Sequence, residues 1–103
     1  MPATSLTQNE FSKHLNTKFR VKLEHQMVLE LELLEVQGYA GSPEEQSGME
    51  RFSVFFKGSE ATPLPQQTYL LQHERMGEFE IFLVPVGRDE NGFRYEAVFN
   101  YFK

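Results

Sequence analysis

Residues 79–102, FEIFLVPVGRDENGFRYEAVFNYF, constrain the fold more than any other stretch of this chain. Apolar side chains recur at odd positions on both sides of a polar turn. Phe79, Ile81 and Leu83 precede it; Phe93, Tyr95, Ala97, Phe99 and Tyr101 follow it. Successive strand residues point to opposite faces, so this alternation marks half-buried strands. The segment reads as a long antiparallel hairpin. Keeping the apolar faces together pairs Leu83 with Ala97, Ile81 with Phe99 and Phe79 with Tyr101. A slip of one residue would set Glu80 against Phe99 on the core side, burying an unpaired charge. The turn then falls at 88–92, with Asn91-Gly92 supplying positive φ. Pro85 has no N–H to give a ladder, which places its strand end at an edge or a bulge.

The same pattern runs upstream. Residues 18–24 alternate Phe19, Val21 and Leu23 against charged neighbours, and residues 27–36 alternate Met27, Leu29, Leu31 and Leu33 against Glu30 and Glu32. The phase changes at Leu33-Leu34, after which Leu34 and Val36 are the apolar set; a bulge or bend accounts for the shift. Residues 51–57 carry Phe52, Val54 and Phe56 on one face, and residues 68–74 align Tyr69, Leu71 and His73. Turns are expected at His25-Gln26 and Arg75-Met76-Gly77. Residues 37–49 form a Gly/Ser/Pro/Glu loop, and residues 58–67 form a second, stiffened by Pro63 and Pro65.

One helix is expected, at residues 5–16. Ser5 or Thr7 can cap it, and Thr7 with Glu10 fits a capping box. Leu6 and Phe11 occupy staple positions, Phe11 and Leu15 share a face, and Asn16 is a stop signal. There is no internal repeat, and residues 1–103 read as a single domain. The class is all-β: an antiparallel sandwich or small open barrel of about six strands, with the short N-terminal helix plugging one end or crossing an edge.

Composition narrows the functional classes. The 103 residues include no cysteine, which removes disulfides, thiol catalysis and thiolate zinc sites. Net charge is −5 and the basic residues occur singly, so nucleic acid is not an expected partner. The first residues carry no basic and apolar leader pattern, and no apolar run approaches the ~20 residues of a membrane-spanning helix. A cytoplasmic chain without a membrane role is expected.

The chemistry-bearing residues form no catalytic constellation. His14, His25 and His73 lack metal-ligand spacing. His73, followed by Glu74, shares a face with Tyr69 and Leu71; a partly buried histidine satisfied by backbone or a carboxylate outweighs a catalytic reading. Glu30/Glu32 and Glu78/Glu80 are i, i+2 pairs, the spacing that the outer face of any strand produces. The turn at residues 87–92 has the composition of a calcium-loop fragment but lacks its length and ligand series. No Gly-x-Ser-x-Gly elbow is present, Ser53 lies within a strand, and Ser42, Ser47 and Ser59 lie in loops. Neither an enzyme nor a cofactor is expected.

One apolar set lacks an explanation in the hairpin alone. Its even face carries Phe82, Val84, Val98 and Phe102 beside Glu80 and Asn100, and Phe55 points outward from another strand. These residues could be a second buried layer beneath Phe11 and Leu15 of the helix, an exposed patch for a partner or self-association, or scattered surface apolars. Phe55, Phe82, Val84, Val98 and Phe102 are the candidate interaction surface.

The stretches 49–57 (MERFSVFFK), 63–74 (PLPQQTYLLQHE) and 77–100 (GEFEIFLVPVGRDENGFRYEAVFN), with 11–21 (FSKHLNTKFRV), resemble a small bacterial family of unknown function. Where that family tends to carry Phe-Arg-Gly, this chain has Phe56-Lys57-Gly58, which keeps the charge. The resemblance implies a link to gene neighbourhoods encoding phage-tail collar-like proteins, and it carries over no catalytic or ligand residue. The expected function is a non-catalytic interaction or structural accessory module of a phage-tail-like or other bacterial assembly, with a protein partner or a second copy as its target. The alternative is a small-molecule-binding β-barrel, with Phe, Tyr and Met lining the site.

Overall fold

The computed structural model describes residues 7–24, 27–38, 49–59, 63–90 and 92–102. One short helix, α1 (Gln8–Ser12), precedes six strands: β1 (Lys18–Lys22), β2 (Val28–Gly38), β3 (Met49–Gly58), β4 (Gln67–His73), β5 (Gly77–Asp89) and β6 (Gly92–Phe102). All strand pairs are antiparallel, and the order β1-β2-β3-β6-β5-β4 closes on itself as a barrel. This resolves sandwich against barrel. Closure is made by β1 against β4, through Arg20↔Gln72, Val21↔Leu71 and Lys22↔Leu70. The His25-Gln26 turn and the centre of the 37–49 loop lie outside the described residues. Among the described residues no helix is long and apolar enough to cross a membrane.

The phase change at Leu33-Leu34 is a bulge. Leu33 pairs with Phe56 and Glu35 with Phe55, leaving Leu34 as the extra residue. The insertion keeps both Leu33 and Val36 on the core side, where strict alternation would send one of them outward.

The terminal hairpin needs a correction. Near its turn the expected register holds at Val84↔Glu96 and Pro85↔Tyr95, and then shifts beside Pro85 to Gly87↔Arg94, Arg88↔Phe93 and Asp89↔Gly92. Away from the turn the strands part. Residues 77–83 of β5 pair with β4, from Gln67↔Leu83 to His73↔Gly77, and residues 97–102 of β6 stay on β3. The expected pairs of Leu83, Ile81 and Phe79 with β6 are therefore not part of the ladder. A thirteen-residue strand in so small a barrel must cross from one neighbour to the other as the sheet twists and closes.

Phe11 fills the barrel behind this parting. Its ring lies 5.4 Å from Phe99 and 6.0 Å from Phe79, and also packs against Phe19 and Phe52. Thr7 caps α1 as expected, its hydroxyl accepting from the Glu10 N–H at 3.1 Å. The helix is shorter than the sequence suggests. After Ser12 the chain turns, Asn16 takes φ 66°, and its N–H donates to the Leu33 carbonyl at 2.8 Å. Leu15 does not join Phe11 inside; it is 39% exposed. Elsewhere in the core, Leu64 is buried, with its N–H bound to the Tyr95 hydroxyl at 2.8 Å, and the Tyr69 hydroxyl donates to the Pro65 carbonyl.

Candidate interaction surface

The outer wall of the barrel has two contrasting sectors. On β1, alternation sends Lys18, Arg20 and Lys22 outward, opposite Glu32, Glu30 and Val28 of β2. Cross-strand ion pairs follow. Lys22 meets Glu78 at 2.7 Å, and Glu32 lies between Lys18 and Lys57 at 3.8 and 3.7 Å. The Glu30/Glu32 and Glu78/Glu80 pairs belong to this solvated wall. Among the described residues, no group of three or more His, Asp or Glu side chains is arranged to hold a metal ion.

The second sector is apolar. Two residues beyond the last β5–β6 pair, Val84↔Glu96, come Phe82 on one strand and Val98 on the other. Phe82 is 48% exposed and Val98 57%. Val84 is half-buried beside them, and Val86 at the bulge is exposed. On the neighbouring β3, Phe55 is half-buried, with the Arg94 guanidinium 5.6 Å from its ring centroid. The side chain of Phe102 lies outside what the structure describes. For Phe82 and Val98 the second-layer reading is overturned. α1 packs on β2 and β3 and sends Phe11 into the core, so it does not roof Phe82 or Val98.

His73 is a locked structural group. It is 5% exposed and stands at the end of β4, where the chain turns into β5. Its Nδ1 accepts from the N–H groups of Arg75 and Met76 at 3.0 and 3.1 Å. The ring proton therefore resides on Nε2, which donates to Thr17 Oγ1 at 2.9 Å; that hydroxyl donates onward to the His14 carbonyl at 2.6 Å. Burial, then the neighbouring His14, holds the imidazole below its ordinary range, with Glu74 opposing. The sequence reading of a backbone-satisfied histidine fits these bonds. It missed that His14 and His73 meet, with ring centroids 4.7 Å apart, because residues so distant in sequence give no spacing signal.

Two surface grooves flank Lys18 and Arg20 of β1. One, of about 610 Å³, faces Glu30, Glu32 and Lys57; the other, of about 550 Å³, faces Thr17 and Arg75. Both open to solvent along charged side chains, while the barrel interior is filled by Phe11, Phe19, Phe52, Phe56, Leu71 and Tyr95.

One protein family matches the chain: a domain of unknown function, DUF6916, over residues 6–99. No curated protein and no solved structure matches it.

Proposed function

We propose that this chain, which belongs to the DUF6916 family, is a non-catalytic interaction module that docks a protein partner through the apolar sector of its barrel wall. The observation that carries the reading is the exposure of Phe82 and Val98 where β5 and β6 part. A large aromatic and a β-branched residue held in water by a rigid wall are the material of an interface centre. Val84 and Phe55 extend the surface, and Arg94 and Glu96 supply a polar rim. A barrel interior occupied by aromatic side chains favours recognition on the outside over a small molecule within. Together with the resemblance to a bacterial family linked to phage-tail collar-like neighbourhoods, this makes the module an accessory or structural subunit of such an assembly.

The test is Phe82→Glu, made alone and with Val98→Glu. Co-purification from the source cell's extract should recover a defined partner with the parent chain and lose it with the variants, while thermal unfolding stays unchanged. Sedimentation of the purified chain reports whether the partner is a second copy. A parent chain that stays monomeric at high concentration and recovers nothing, or variants that bind as the parent does, would remove the proposal.

A further inference from the structure

The turn from β4 to β5 gathers cations that the sequence scatters. Lys18 and Arg20 of β1 and Arg75 of the turn line one groove of about 550 Å³. His14 and Thr17, from the segment after α1, form its other side, and Glu74 is the single carboxylate of the lining. Lys22, Lys57 and Arg94 have carboxylate partners in Glu78, Glu32 and Glu35, and Lys18 of the groove itself lies 3.8 Å from Glu32. Among the described residues, the Arg20 and Arg75 side chains have none. Arg20 lines both grooves, whereas its cross-strand neighbour Glu30 lines only the other one. The two guanidinium charges also act on buried His73, adding to the burial and the His14 effect that disfavour its protonation. The Thr17 hydroxyl is already committed to His73 and the His14 carbonyl, Lys18 is shared with Glu32, and His14 Nε2 lies 4.0 Å from Glu10, so the donors left wholly for a ligand are the two guanidinium groups.

We propose that this groove binds a small oxyanion, a carboxylate or a phosphoryl group, held by Arg20 and Arg75 with Lys18 at its side. The guanidinium fork matches the paired oxygens of either group. Two arginines and a lysine on a chain of net charge −5 suit one anionic group and do not form the long basic track of a nucleic-acid site. The groove shares no residue with the apolar sector, so this site and the docking face can fail independently.

Isotope-labelled protein is titrated with inorganic phosphate and, separately, with succinate, at pH 7 and constant ionic strength balanced with chloride. The NMR signals of the Arg20 and Arg75 side chains and of the Thr17 amide should move saturably with at least one anion. Which anion saturates identifies the group. Arg20→Gln and Arg75→Gln should each weaken binding at least about tenfold. Arg88→Gln, which removes the same charge at the opposite end of β5, should leave it unchanged. Shifts that do not saturate with either anion, or a double Arg20→Gln/Arg75→Gln variant that binds like the parent, would overturn the proposal.

Discussion

Tyr95 accepts a hydrogen bond from the backbone N–H of Leu64 at 2.8 Å, with both residues buried. A side chain near the end of the chain thereby satisfies a main-chain donor in the loop that joins β3 to β4. Removing the hydroxyl leaves the Leu64 N–H without its partner in a dry site. Tyr95→Phe should lower the unfolding free energy by about 1–3 kcal/mol, read from urea denaturation.

Gly58 has its place because of the same tyrosine. A Cβ there would stand 2.8 Å from Leu31 Cδ2 and 3.0 Å from Tyr95 Cε2, both inside the barrel. Gly58→Ala should cost about 1–3 kcal/mol by overpacking. Adding Leu31→Val, which shortens the nearer obstacle, should make the double variant more stable than the sum of the two single changes allows. Equilibrium denaturation of the four proteins measures this coupling.

His73 gives stability a defined pH dependence. Only a ring with unprotonated Nδ1 can accept from Arg75 and Met76, and burial holds its pKa below the ordinary 6.5. Between that lowered value and 6.5 the unfolded chain binds the extra proton and the folded chain does not. The contribution is complete above 6.5 and is lost as pH falls through the folded value. Thermal unfolding of the parent should weaken on acidification from neutral pH into this window. His73→Gln should start less stable and change less over the same interval.

The two apolar residues of the α1 region should respond in opposite ways. Phe11 is fully buried among Phe19, Phe52, Phe79 and Phe99, so Phe11→Ala should cost about 3–5 kcal/mol. Leu15 faces solvent, and Leu15→Ser should stay within about 0.5 kcal/mol of the parent. Thr7→Ala, which removes the cap on the Glu10 N–H, should cost about 1 kcal/mol. Chemical denaturation resolves all three.

Local rules made much of this fold legible. The alternation in residues 79–102 gives the inward faces of β5 and β6, the doubled leucine at 33–34 marks the bulge, and Thr7 with Glu10 marks the helix start. Each depends on neighbours a few residues apart. The β1–β4 closure, the parting of β5 from β6, and the descent of Phe11 between Phe79 and Phe99 depend on the geometry of the whole barrel. For the same reason Phe82 and Val98 could be flagged from sequence while their exposure could not. Lys18, Arg20 and Arg75 looked like isolated charges until β1 and the β4–β5 turn were side by side.

The β3–β6 ladder has a consequence for how the chain reaches this state. It is the longest ladder among the described residues and joins 49–58 to 93–102. While the polypeptide is synthesised, β3 can pair with β2, but its other side has no neighbour until β6 has been made. Pairing so distant in sequence carries a loop-closure cost before any contact repays it, which favours slow folding. Until then Phe52, Val54 and Phe56 are without the Phe99, Ala97 and Tyr95 that oppose them in the finished barrel. The nascent barrel is most open to aggregation, or to a chaperone, at β3, and the arrival of β6 ends that interval.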